Sequence, residues 1–192
     1  MPCATADAIG AAAVTARNAR RERESRVIIV KQTIAHDMLR KLIQTNNRAE
    51  PAILRLVLGA IFFAHGAQKM LGWWGGYGFT GTMGMFTHAM RIPAVFAFLA
   101  IAAEFFGGVG LILGLLGRVA AFGIACNMLV AIVKVHSANG LFMNWAGNQK
   151  GEGFEYHLLV LAMTAAIMIA GSGALSVDLA LSRAKGSGGV RS

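Results

Sequence analysis

The sequence predicts an all-α integral membrane protein, a four-helix bundle with two long outer loops rich in glycine and aromatic residues. Three observations carry this expectation. Four apolar runs lie between Ile53 and Ala174. Hydrophobic residues make up 56% of the chain against 14% charged, which leaves too little polar surface to solvate a soluble bundle. Most ionisable residues in or beside the runs fall at alternate run ends, as a bundle gathering its polar groups at one depth requires.

The first run is uninterrupted over residues 56–64 and reaches Leu71 if His65, Gln68 and Lys69 are tolerated. Residues 94–116 form the second, with Glu104 as the single charge. The third, 119–133, contains Asn127 as its strongly polar residue, and the fourth, 158–174, contains no charge. A spanning helix needs about 20 mainly apolar residues. The second run meets this alone and the others meet it with their polar flanks.

Charge sets the expected orientation. Nine of the eighteen Lys and Arg residues precede Glu50, Arg183, Lys185 and Arg191 follow the last run, and Arg118 lies in the short second connection. The two long loops, 72–93 and 137–154, hold only Arg91 and Lys150. Positive-inside bias therefore places both termini and the Arg118 turn in the cytoplasm. The net charge of +9 is then a topology signal, and no motif accompanies it that would read nucleic acid. Cys3 and Cys126 lie on segments with no reason to meet, so neither a disulfide nor a CxxC redox pair is expected.

Residues 1–48 read as a basic extension, disordered, with Met38 as an alternative start. The membrane domain is expected over 49–182 and a short basic cytoplasmic tail over 183–192. Trp73, Trp74 and Tyr77, within GWWGGYGF, read as an interfacial aromatic belt, because no strand precedes them to make a phosphate or dinucleotide loop. Met83, Phe86 and Met90 share one face of a short interfacial helix.

Small residues at helical spacing mark helix contacts in lipid. Ala100, Ala103, Gly107, Gly110 and Gly114 form such a stripe on the second run, bordered by Glu104, and Gly66 lies on a face of the first with Arg55, Gly59, Phe62 and Lys69. His65, Gln68, Lys69, Lys134, His136, Glu155, Tyr156 and His157 then converge with Glu104 in the outer half of the bundle. A charge at the bilayer centre costs roughly 2.5–3.5 kcal/mol, so Glu104 needs a partner or a proton, and Lys69 is the leading partner. The cluster reads as a ligand, quinone or proton site, the alternative being an ion-pair network that only fixes packing; catalytic residues cannot be named. A metal site is not expected, since no HxxH, HxxxH or CxxC spacing fixes two ligands on one segment.

LRLVLGAIFFAHGAQKMLGWWGGYGFTGTMGMF, then AEFFGGVGLILGLLGR, then a Glu opening the last helix, together resemble the DoxX family of small bacterial four-helix membrane proteins. His65, Gly66 and Lys69 match its HGxxK motif and Glu104 its second-helix acid. The resemblance covers about residues 38–182. It implies a small subunit of a quinone-linked membrane redox assembly acting against oxidative stress, with membrane-associated oxidoreductases as partners and quinone as the cofactor. A noncatalytic scaffold that recruits oxidoreductases and a small-solute or proton conduit are the other readings, and a homo-oligomer is compatible with each.

Overall fold

The computed structural model describes residues 3–187, and all regular structure among them is helical. The chain divides into two units, residues 1–41 and the remainder from Leu42. The first unit is most of one helix, α1 (Cys3–Ile43), in the stretch expected to be disordered. Its Ala-rich opening favours a helix, and Arg20 pairs with Glu24 one turn on at 3.0 Å. Val27, Ile28, Ile29, Val30 and Ile34 on it are exposed.

In the second unit α2 (Ala49–Leu71), α4 (Ala94–Leu113), α5 (Gly117–Ala131) and α6 (Glu155–Ala170) form the bundle. α2 packs most extensively on α4, α5 lies against both α4 and α6, and α6 closes the ring on α2. The connection 72–93 holds a short helix, α3 (Gly78–Gly84), continued by a π-turn over Met85–Ala89, so the stretch expected to be helical around Met83 and Phe86 is helical, though wider in its second half. After α6 the chain turns and runs into α7 (Val177–Ser187), inside the segment expected to be bundle and tail. Residues 188–192 of that expected tail lie outside the described residues.

Three stretches, Ala49–Leu71, Ala94–Leu113 and Gly117–Asn139, are long and apolar enough to cross a membrane. α6 has 16 residues, roughly 24 Å at 1.5 Å per residue against a hydrocarbon core of roughly 30 Å. The loop before it folds over its start: Phe154 N–H donates to the Gly140 carbonyl at 3.2 Å and Glu155 N–H to the Leu141 carbonyl at 2.9 Å. The outward faces carry Ile53, Val57, Val95, Phe96, Leu99, Phe106, Phe122, Leu129, Val133, Leu159 and Ile169, all exposed. An exterior this apolar is stable in lipid and not in water, and the molecule is an all-α membrane protein.

Glycine sets the closest approach of helices. A β-carbon on Gly66 would lie 2.5 Å from the Phe105 backbone, and one on Gly108 would lie 2.4 Å from the Phe63 nitrogen. α2 and α4 thus meet backbone to backbone through Gly66 and Gly108, a residue outside the expected stripe. Gly107 and Gly110 face the α5 side instead, where a β-carbon would stand 3.6 Å from the Ala120 carbonyl oxygen and 3.1 Å from that of Leu115. Gly114 ends α4 in the left-handed region at φ 64°, against Ser176. Between the helices Leu58, Phe62, Leu111, Ala121, Ile124, Met128, Val160 and Ile167 form the buried core.

At the end of the bundle where α4 stops, Arg55 is 1% exposed and spends all five of its N–H donors on main-chain carbonyls. Nε reaches Ser172 at 2.8 Å, Nη1 reaches Leu111 and Ile112 at 2.8 and 2.7 Å, and Nη2 reaches Ala174 and Leu175 at 3.0 and 2.6 Å. Asp178, equally buried, accepts from Leu116 N–H at 2.9 Å, Gly117 N–H at 3.1 Å and Ser172 Oγ–H at 2.5 Å. The pair of residues clamps the α4–α5 turn onto the α6–α7 turn, holding Leu116 in a left-handed conformation at φ 50°. Beside it Arg118 donates to the Met168 and Ile169 carbonyls at the end of α6, at 2.9 and 3.3 Å. Residues 42–48 join this end through Thr45, whose hydroxyl accepts Gly173 N–H at 2.8 Å, so the compact unit begins before the boundary expected at residue 49.

Candidate functional site

At the opposite end of the bundle, α2, α4, α5, α6 and the loop 137–154 line an open cavity of about 430 Å³. Phe62, Met128, Ala131 and Met143 supply apolar wall, while His65, Lys69, Glu104, His136, Glu152, Tyr156 and His157 supply polar groups. The volume falls in the range of small-molecule sites, and the mixture of apolar wall with a few convergent polar groups is typical of them.

α2 brings in His65 and Lys69 four residues apart, on one face. Gly66 between them lets α4 approach closely enough for Lys69 Nζ to donate to Glu104 Oε2. Glu104 is buried and the Lys69 side chain is 28% exposed, so the acid sits in the protein and the ammonium reaches toward the cavity. The partner expected for Glu104 is the one it has. Thr82 on α3, itself buried, donates its hydroxyl to the Lys69 carbonyl at 3.3 Å and ties the aromatic loop to this turn of α2. Asn127 is spent on packing, with Nδ2 donating to the Ala100 carbonyl at 2.8 Å.

α5 does not continue as a regular α-helix to the cavity. It widens into a π-turn over Ile132–His136, in which hydrogen bonds span one extra residue. The regular spacing that aligns Lys134 with Asn127 therefore breaks before it arrives. Lys134 is exposed away from the cavity and His136 lines it. His136 Nδ1 lies 2.8 Å from the Glu152 main-chain oxygen, which can only accept, so Nδ1 carries the proton of that bond. The His136 ring meets the His157 ring with centroids 4.2 Å apart.

Glu155 opens α6 but points away from the cavity, accepting from Trp145 Nε1–H at 3.3 Å. Glu152, three residues earlier, lines the cavity in its place. Of the sequence candidates, the structure thus gathers His65, Lys69, Glu104, His136 and His157 around one space, and leaves Lys134 and Glu155 outside it. Tyr156, placed by spacing at the outer start of the last helix, joins them, and Glu152 is the polar wall residue that spacing alone did not select. Tyr156 Oη and His157 Nδ1 are buried and have no hydrogen-bond partner among the described residues. Buried polar atoms are nearly always paired, so two unpaired ones on adjacent residues of a cavity wall stand out.

No group of three or more His, Cys, Asp or Glu side chains among the described residues is arranged to hold a metal ion.

Comparison with known proteins places this geometry in a lineage. The chain matches the DoxX family model over residues 51–137, the stretch that carries His65, Lys69, Glu104 and His136. It is 31% identical over 138 residues to "Putative oxidoreductase CatD" of Bacillus subtilis (strain 168), an alignment covering 72% of this chain and 91% of that protein. No solved structure matches. A relative this similar along nearly its whole length, with the family model running from α2 through the end of the third span, means that the chain belongs to the DoxX family.

Proposed function

We propose that this protein is a small subunit of a quinone-linked redox assembly in the bacterial inner membrane, and that the His65–Lys69–Glu104 cavity takes the quinone head group. The observation that carries the proposal is the pair of unsatisfied buried atoms, Tyr156 Oη and His157 Nδ1, on the wall of a cavity that mixes apolar side chains with a few polar groups. A flat, neutral ring bearing oxygens suits that mixture. The relative named as an oxidoreductase supports a redox setting.

Lys69 and His65 offer hydrogen-bond donors at the cavity edge. Glu104, held by Lys69, is the acid nearest to exchange a proton there, and Glu152 stands on the loop side. A bound quinone supplies two-electron, two-proton carrier chemistry, with the electrons coming from a partner oxidoreductase of the membrane. Phe62, Met128 and Met143 keep water from the ring. The basic residues before Glu50 and after α6 favour an orientation with the cavity in the outer half of the bilayer, and a role in resisting oxidative stress follows from a subunit that keeps a quinone pool reduced.

A noncatalytic scaffold is the second reading, favoured by the Lys69–Glu104 pair, which satisfies its own charges without a ligand. Extraction in mild detergent followed by quinone analysis decides between them. Quinone retained by the wild-type protein and lost from Lys69→Ala supports the redox subunit. Absence of quinone, with full cellular activity in Lys69→Ala, leaves the scaffold.

A further inference from the structure

We infer that Tyr156 and His157 hold the ligand oxygen that gains and loses a proton, and that the protein keeps them unsatisfied for this purpose; the inference rests on the reading that the cavity takes a quinone head group. The argument starts from what each wall group can do. Lys69 has only donors, one of them given to Glu104. His136 spends Nδ1–H on the Glu152 main chain. Tyr156 Oη and His157 Nδ1 are different: each is buried, each lacks a partner among the described residues, and each can either donate or accept.

A quinone oxygen only accepts hydrogen bonds, whereas the same oxygen in the quinol also donates one. A wall made of fixed donors serves the first state and opposes the second. A phenol hydroxyl rotates to suit either, and an imidazole whose Nδ1 is uncommitted meets both through its two tautomers. Their position favours one shared ligand group. They are consecutive residues in the first turn of α6, with ring centroids 5.7 Å apart and planes at 83°, and both line the same cavity. His157 is 6% exposed and its ring is braced by His136, so neither group has an easy route to bulk water.

Left without a ligand, such atoms burden the folded state, because a buried polar group without a partner forfeits the hydrogen bonds it makes in water. This separates a ligand contact from a packing residue. Two measurements on purified protein test it, thermal unfolding of the quinone-free form and calorimetric titration with a short-tail benzoquinone and its reduced quinol. Tyr156→Phe removes the hydroxyl and little else. The expected result is a rise in unfolding temperature of about 2–4 °C, with binding of both probes weakened about tenfold. His157→Leu weakens both probes likewise, and His157→Asn, which restores a polar atom near the Nδ1 position, recovers most of the loss.

A Tyr156→Phe protein that is no more stable than wild type, or that binds both probes as tightly, overturns the inference. Weakening of one probe alone overturns the claim that these groups serve both states. If wild type binds neither probe, the quinone reading fails and the inference that rests on it fails with it, whatever the stability of Tyr156→Phe.

Discussion

Replacing Arg55 by methionine keeps most of the side chain's length and removes all five donors, which makes the clamp at the α4 end the sharpest test of what holds this fold. The cost is worked carbonyl by carbonyl. Leu111 retains a bond from Gly114 N–H at 3.2 Å, so four carbonyls lose a partner. That of Ser172 is buried, and a buried polar group left unpaired costs about 1–3 kcal/mol. Those of Ile112, Ala174 and Leu175 are part-buried and reach water more easily, at about 0.5–1 kcal/mol each. Asp178 also loses the positive group beside it. The sum is about 2.5–6 kcal/mol, which brackets the loss found when one member of a buried charge pair is removed and is a large share of a typical stability.

Arg55→Lys isolates geometry from charge. It restores a cation but offers three donors to five carbonyls, without the planar fork, and is expected to recover less than half of the loss. Reversible unfolding in mixed micelles measures both variants, and amide exchange over the α6–α7 turn is expected to accelerate in parallel. Arg55 lies fourteen residues before Lys69 on one helix, about 21 Å along its axis, so probe binding in the cavity stays unchanged below the unfolding transition. An Arg55→Met protein within about 0.5 kcal/mol of wild type, the usual scatter of an inconsequential surface change, would refute the reasoning, and so would Arg55→Lys at full stability.

For the cavity pair, Lys69→Met or Glu104→Gln alone is expected to cost about 1–3 kcal/mol, less than a fully buried pair because Lys69 is partly exposed, and the double variant recovers much of it. That double variant is expected to insert stably yet fail a cellular oxidative-stress assay; full activity would reduce the pair to packing. Orientation is tested in a cysteine-free background with Thr80→Cys and Asn148→Cys, both at exposed positions in the long loops. Labelling of intact cells by an impermeant thiol reagent is expected at both, and protection until lysis would invert the topology.

The bundle was legible because lipid imposes a simple demand, long apolar segments with self-contained hydrogen bonds, and residues 94–116 announce it directly. The Lys69–Glu104 pair was legible for a related reason, since an acid ten residues into an apolar helix must find a partner and the HGxxK segment offers the cation at matching depth. Depth, however, is easier to read than direction. Lys134 and His136 differ by two positions, and which of them faces the cavity depends on a π-turn that no residue in IVKVH signals. Glu155 yields to Glu152 because the loop folds back over the start of α6, a long-range arrangement absent from any local spacing. α7 and the Arg55–Asp178 clamp escaped notice because most of their partners lie 56 to 120 residues away in the chain, although one signal was present: Asp178 is the sole acid after Glu155, in an otherwise basic end.

The two polar clusters of this bundle differ in a way that bears on which of them does chemistry. A polar residue in a membrane protein is expensive unless satisfied, so a cluster whose purpose is stability should leave nothing over. The Arg55 clamp meets that condition: five donors meet five carbonyls, and Asp178 caps two amides and a hydroxyl. The cavity cluster does not, for it pairs Lys69 with Glu104 and then strands Tyr156 Oη and His157 Nδ1. Packing alone would favour phenylalanine and an apolar residue at those positions. On the function proposed above, a ligand that arrives completes these polar groups, and the Tyr156→Phe experiment measures that trade directly as stability gained against binding lost.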